Sequence, residues 1–163
     1  VHHADLDYDT TTGLRFHPIE IVLSMLIKFA AIAAFGPAVV AVIVFEVLLN
    51  GLAMFNHGNV RLPLGLDRVI RLLFVTPDMH RVHHSIEADE ANANFGFNLS
   101  LWDRLFGTYK PQPRAGHEQM DIGIKGFDDA KTCAWLPGLL RLPFIGKDGG
   151  YAINRRWSNS DDE

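Results

Sequence analysis

Histidine carries the chemistry of this sequence. His80-Arg81-Val82-His83-His84 has the spacing H-x-x-H-H, and on a helix residues i, i+3 and i+4 share one face. Three imidazoles on one face form a ligand set for a transition metal, because imidazole suits zinc, copper, iron and nickel. A lone surface histidine is normally just solvated; three at this spacing point to a metal. Val1-His2-His3 looks like the end of a second motif of the same form. Two adjacent histidines are a weak signal alone, and a purification tag is the competing explanation. The recurrence of Val-His-His at 82–84, with a small residue next each time (Ala4, Ser85), favours a true motif.

These side chains must be positioned by what lies between them. Residues 21–35 and 38–55 are apolar runs with one charge each, Lys28 and Glu46. Gly36 ends the first and Pro37 opens the second, the usual roles of glycine and proline at helix boundaries. Together the runs exceed the roughly 20 residues of a single membrane span, and each half is slightly short of one. Neither shows a polar face at helical period. The pattern predicts a helical hairpin inserted from one side of a membrane; two buried helices of a soluble bundle are the alternative.

The hairpin predicts a pairing. Lys28 lies eight residues before Gly36 and Glu46 nine after Pro37, so at about 1.5 Å per residue the two share a depth. Charges in hydrocarbon face the bundle and find partners; Lys28 snorkelling to an interface is the alternative. The turn carries no charge. The open end is flanked by Arg15 and Arg61, with Arg68, Arg71 and Arg81 beyond, which places it on the cytoplasmic face.

A hairpin returns both its ends to one side. His17 precedes the first helix and His57 ends the second, so both join His2, His3, His80, His83 and His84 on that side. His57 reads as a ligand, and His17 as a helix cap or a support for one. Ring nitrogens of His2 or His3, of His57, and of at least two of His80, His83 and His84 are expected to converge within roughly 8 Å, with one side of the cluster open. Asn59, Asp78 and Asn94 are candidates for orienting imidazole N–H groups.

The remaining chain reads as a helical cap. Residues 61–75 predict an amphipathic, interfacial helix with Leu66, Val69, Ile70, Leu73 and Phe74 on one face. Thr76-Pro77-Asp78 is a helix start, and the helix over 79–85 carries the histidine motif. Residues 88–98 are small and polar. Residues 99–109 predict a short amphipathic helix ended by Gly107. Beyond Lys110 the chain is rich in proline and glycine, with short helices near 131–141. His117 in that stretch reads as an ordinary loop residue. The fold class is all-α: a membrane helical hairpin plus a cytoplasmic helical cap carrying the histidine clusters.

Composition closes off other classes. A net charge of −4, without a basic stripe, argues against a nucleic-acid partner. The single cysteine, Cys133, excludes a disulfide framework and a cysteine-based zinc site. Gly146-Lys147 is followed by Asp148 and lacks the phosphate-loop pattern.

The segments VHHADLDYDTTTGLRFHPIE, FNHGNVRLP, TPDMHRVHHS and NANFGFNLSLWDRLFGTY together resemble the fatty acid hydroxylase/sterol desaturase superfamily. The resemblance covers residues 1–144 and leaves 145–163 as a polar tail. It implies a domain incomplete at its N-terminus, whose first histidine cluster and one further histidine lie upstream of Val1, and a chain inactive by itself. It implies two iron ions at the cytoplasmic membrane face, held by His2, His3, His57, His80, His83 and His84, with zinc possible in a purified form. The implied reaction is O2-dependent hydroxylation or desaturation of a lipid C–H bond, in lipid or sterol biosynthesis or modification. Such bonds need an oxidant that the cofactor, not a side chain, supplies. Electrons come from an external donor, a cytochrome b5 or a ferredoxin with its reductase, because no dinucleotide fingerprint is present. Two rivals stand beside this. A membrane zinc hydrolase is disfavoured because H-E-x-x-H is absent and no glutamate lies within the His80 motif. A non-catalytic metal-binding scaffold is the other.

Overall fold

A computed structural model describes residues 1–145. Of the tail expected over 145–163, only Ile145 falls among them. Among the described residues the chain is helical and has no strand, only isolated bridges such as Phe74 with Leu99.

Helix α1 spans Pro18–Phe35 and α2 spans Val39–Asn56. The start of α1 is fixed by a capping box. His17 Nδ1 accepts from the Ile19 amide at 3.2 Å, the Glu20 carboxylate accepts from the His17 amide at 2.8 Å, and Pro18 takes the first position. The end is fixed by Gly36, in the left-handed region at φ 57° and ψ 42°, whose amide donates to the Ile32 carbonyl. Pro37 does not open α2 as the sequence predicts. Reversal of the chain takes one more extended residue, Ala38 (φ −60°, ψ 142°), so the first helical turn begins at Val39.

At 1.5 Å per residue each helix is about 27 Å long, close to the hydrocarbon thickness of a bilayer. Both are long and apolar enough to cross a membrane. Their apolar side chains face outward: α1 buries no residue, and α2 buries only Ala53 and Asn56, at its last turn. The predicted charge pair is present, with Lys28 Nζ 2.7 Å from Glu46 Oε1. Between that pair and Gly36 the two helices leave a cleft of about 360 Å³ lined by Ala31, Ile32, Phe35, Ala41, Val42 and Phe45.

The helix expected over 61–75 is shorter, α3 at Leu64–Ile70. Pro63 occupies its N-cap. At the other end a buried Asp67–Arg71 ion pair (2.6 Å) and a bond from Arg71 Nη1 to the Pro111 carbonyl (2.8 Å) turn the chain. The Val75 amide is thereby delivered to the Asn98 carbonyl at 2.9 Å instead of to a helical partner. Leu66, Val69, Leu73 and Phe74 are exposed, as an interfacial face requires.

Helix α4, Pro77–His83, packs against the end of α2 and carries His80 and His83; it ends before the expected residue 85, with His84 as its C-cap and Ser85 bridged to Ile122. The Thr76 hydroxyl caps the Met79 amide, and Val75, Met79 and Val82 are fully buried beneath the helix. A single turn, α5 (Ala88–Ala91), opens the small, polar stretch over 88–98. Its buried Glu90 accepts from the Arg114 amide at 2.6 Å and lies 3.6 Å from Lys110, which gives the turn a tertiary anchor. Helix α6 is Leu101–Leu105, shorter than 99–109, because Asp103 is drawn inward to the amides of Phe95 and Gly96 and the hydroxyl of Thr108. Helices α7 (Ala130–Cys133) and α8 (Leu136–Arg141) follow. They close back on the N-terminus, where Ala4, Cys133 and Leu142 form a small buried core.

Candidate metal centre

Each arm of the histidine cluster is held by its own device. His2 and His3 occupy a 3-10 turn, His2–Ala4, anchored by the buried Ala4. Asp5 pairs with Arg15, which also donates to the Cys133 carbonyl, and Asp5 accepts from the Thr12 hydroxyl at 2.8 Å. A second 3-10 turn, Thr12–Leu14, passes under the end of α2. There Gly13 lies so close that a Cβ would come within 3.1 Å of His57 Nδ1. His57 itself is the C-cap of α2.

Hydrogen bonds decide the tautomers. His57 Nδ1 faces the Ala53 carbonyl at 2.7 Å. A carbonyl only accepts, so Nδ1 carries the proton and Nε2 is a bare lone pair. That lone pair lies 3.0 Å from His2 Nε2 and 3.0 Å from His80 Nε2. His83 repeats the arrangement, with Nδ1 donating to the Ala93 carbonyl at 2.8 Å and Nε2 left as the lone pair. Both ring nitrogens of His84 and Nδ1 of His80 are buried without a partner. One ligand atom from each of His2, His57, His80 and His84 falls within 4.8 Å of all the others. His3 adjoins this group, stacked on His84 at 4.5 Å and edge-on to His83 at 4.6 Å.

Burial sets the charge of these rings. It lowers His2 to about 4 and His3 to about 2, with neighbouring imidazoles adding to the effect. Burial also lowers His80, His83 and His84. The cluster is therefore neutral at physiological pH, the form in which imidazole binds a metal.

The residues fit a transition-metal ion. One lone pair on His57 cannot satisfy two crowding nitrogens by hydrogen bonds alone, whereas a cation draws lone pairs from all of them. Two ligands at right angles on an ion with bonds of about 2.1 Å lie about 3.0 Å apart, the separation found on both sides of His57. The four-residue group is all imidazole, a donor set for zinc, copper, iron or nickel and not for magnesium or calcium.

Other expected residues lie elsewhere. His17 is fully engaged as the cap of α1, with Nδ1 accepting from Ile19 and Nε2 3.2 Å from the Leu140 carbonyl. Asn59 is exposed and lines a separate polar pocket with Arg61, Asp78 and His117. Asp78 pairs with Arg81 at 2.6 Å. Asn94 bonds the Met79 carbonyl and the Lys110 backbone. Asp78 thus holds the Arg81 side chain and Asn94 the backbone around α4, and the bonds that orient His57 and His83 come from carbonyls. His117 lies outside the cluster, in its loop.

Tyr8 is the residue that sequence reasoning passes over. It is buried, its hydroxyl donates to the Asn56 carbonyl at 2.6 Å, and its ring lies 5.8 Å from that of His57 and 5.1 Å from that of His84. Arg81 covers the ring at 5.1 Å. Phe16, stacked on His2 at 5.1 Å, is the apolar wall on the other side. Nothing in the period of residues 1–16 marks Tyr8 as buried; closeness to His2 and His3 in the chain is the one signal available. On the side of His2, His3 and His83 the cluster opens into a cleft of about 580 Å³, bordered by Phe16, Phe95 and Ile124.

Comparison with known proteins assigns this centre to a family. The family model described as fatty acid hydroxylase matches residues 1–108, a span that holds the hairpin and every histidine of the cluster. The chain belongs to the fatty acid hydroxylase family. Ornithine lipid hydroxylase OlsE of Rhizobium tropici is 32% identical over 143 residues, which cover 87% of this chain and 40% of that protein. Alkylglycerol monooxygenase of Homo sapiens is 32% identical over 112 residues, 68% of this chain and 24% of that one. Very-long-chain aldehyde decarbonylase GL1-1 of Oryza sativa subsp. japonica is 28% identical over 154 residues, 88% of this chain and 24% of that one. The chain thus spans less than half the length of these fatty acid hydroxylase relatives. No solved structure matches. These relatives are named as a lipid hydroxylase, a monooxygenase and an aldehyde decarbonylase.

Proposed function

We propose that this chain forms the ligand-bearing part of a membrane-bound, O2-dependent di-iron enzyme that hydroxylates a C–H bond of a lipid. The observation that carries the reading is the set of neutral imidazole nitrogens from His2, His57, His80 and His84 within 4.8 Å of one another, with His3 and His83 completing the ligands of a second ion. Iron bound there supplies the activation of O2 that no side chain supplies. The names of the hydroxylase and monooxygenase relatives favour hydroxylation over desaturation.

The protein's part is to hold and to shield. Ala53 and Ala93 carbonyls fix two imidazole protons and so aim two lone pairs inward. Tyr8 and Phe16 close the flanks against water. The cleft beside His3 and His83 admits an alkyl chain. The hairpin α1–α2 lies in the membrane with its open end, and the metal site, on the cytoplasmic side.

Hydroxylation converts R–H, O2, two electrons and two protons to R–OH and water. The electrons come from an external donor of the cytochrome b5 or ferredoxin type, and a donor docking at the cytoplasmic side reaches the site without crossing the membrane. The test is incubation of the full-length protein with Fe(II), a reductase system, a membrane lipid extract and 18O2. A lipid product heavier by one 18O atom is expected. Tight zinc binding with no O2 uptake would instead favour a zinc hydrolase or a scaffold.

A further inference from the structure

Three short helices surround the open end of the hairpin, and all three turn apolar side chains outward. Helix α3 exposes Leu66 and Val69, with Leu73 just after it; α6 exposes Trp102 and Leu105, with Phe106 at its end; α8 exposes Leu136 and Leu140, with Trp135 just before it. Each also carries one exposed arginine, Arg68, Arg104 and Arg141 respectively, of which Arg104 also donates to the Arg71 carbonyl at 3.0 Å and covers the Tyr109 ring at 4.1 Å. Apolar surface on this scale is out of place in water. Apolar face plus exposed arginine is the composition of a helix lying in a membrane interface, where aromatic rings and snorkelling cations sit at headgroup level.

Two hydrogen bonds fix the depth of these helices relative to the hairpin. Asn56, the last residue of α2, donates to the Phe97 carbonyl at 2.6 Å, in the lead-in to α6. His17, the cap of α1, bonds the Leu140 carbonyl on α8 at 3.2 Å. Helix α3 is tied to the same level, because the Ser100 hydroxyl at the start of α6 donates to the Arg71 carbonyl at 2.7 Å. The apolar surface of the hairpin therefore runs on, at the level of both helix ends, into that of α3, α6 and α8.

We infer that α3, α6 and α8 form a collar seated in the headgroup region of the leaflet that the hairpin enters, so that its occupant is the lipid surface itself. The inference rests on the membrane reading of the hairpin. The collar sets the height of the histidine cluster: it stands just above the acyl boundary, with its open cleft at lipid level.

Depth-dependent quenching tests this. The chain is reconstituted in excess phosphatidylcholine vesicles carrying a nitroxide at acyl carbon 5 or at acyl carbon 12. Emission is read from Trp102 in a W135F/W157F variant and from Trp135 in a W102F/W157F variant. A third variant, F29W with all three native tryptophans replaced by phenylalanine, reports the middle of α1. Quenching of Trp102 and Trp135 is expected to be at least about twofold stronger with the shallow label, and the order is expected to reverse for F29W. Quenching of F29W without quenching of Trp102 and Trp135 would overturn the collar while leaving the hairpin in the membrane. Absence of quenching at all three would overturn the membrane reading itself. Quenching of Trp102 and Trp135 only on dilution into more lipid would mean that a second copy covers the surface, and would also overturn the collar.

Discussion

His57 Nε2 and His80 Nε2 lie 3.0 Å apart, although the residues are separated by 23 positions and belong to different helices. Such an approach of two nitrogens, one of them a bare lone pair, holds only if a shared ion or proton sits between them. His80→Ala or His57→Ala in the full-length protein is therefore expected to remove most of the bound metal. His17→Ala should keep the metal and lose a helix cap, a cost of about 1 kcal/mol. Elemental analysis together with thermal unfolding separates the two. Equal metal loss in all three variants would return His17 to the ligand set.

Gly13 is a position where one methyl group should matter. A Cβ at this position would stand 3.1 Å from His57 Nδ1 and 3.4 Å from the Ala53 carbonyl. These two atoms are hydrogen-bonded to each other, so neither yields easily. Gly13→Ala is expected to tilt the imidazole and weaken metal affinity by about tenfold or more, the scale found when a ligand's orienting bond is disturbed. Competition with a chelator measures it; unchanged affinity would show that the turn gives way instead.

The Lys28–Glu46 pair predicts non-additivity. Lys28→Met alone, or Glu46→Gln alone, leaves a partner without its counter-charge among apolar side chains, and each should lower the unfolding temperature in lipid. The double variant should lose less than the sum, with a coupling on the order of 1 kcal/mol. Additive losses would mean that the two charges are solvated separately.

Acid should destabilise the metal-free chain over a defined range. Burial holds His2 at about 4 and His3 at about 2, against about 6.5 in the unfolded state. Between these values the unfolded chain binds protons that the folded chain excludes, so stability is undiminished above about pH 6.5 and falls as pH drops through 4 towards 2. Denaturation of the apo-protein at about pH 7.5 and about pH 5.5, either side of the unfolded value, reads the difference. His3→Gln should flatten the slope, and a slope unchanged by that variant would assign the acid sensitivity to other groups.

What the sequence makes legible here is whatever follows from counting along one helix. The Lys28–Glu46 pair depends only on equal distances from one turn, and the place of His57 depends only on that turn returning the chain to its starting side. The His80 motif depends on helical period alone. What it leaves hidden depends on contacts between distant segments. The end of α3 is set by Arg71 reaching the Pro111 carbonyl, 40 residues away, and α6 is cut short by Asp103 serving the Phe95 and Gly96 amides. Tyr8 is buried because Asn56 and two imidazoles meet there, and no local pattern announces such a meeting. Asn59, Asp78 and Asn94 have the right chemistry to orient imidazoles, but Arg81 and backbone groups claim two of them and Asn59 faces outward.

The small core around Cys133 bears on where this domain can be cut. The family match ends at residue 108, and every imidazole of the cluster lies before it. Yet Ala4 packs on Cys133 and Leu142, Arg15 reaches the Cys133 carbonyl, and the His84 carbonyl takes the Gly123 amide at 3.1 Å. A chain ended at residue 108 would keep all the donor atoms and release the clasp that brings the first of them, His2 and His3, to the rest. The folding unit is therefore longer than the span the family model matches, and a chimera that exchanges the segment after residue 108 with a relative's should alter metal affinity without touching a single ligand.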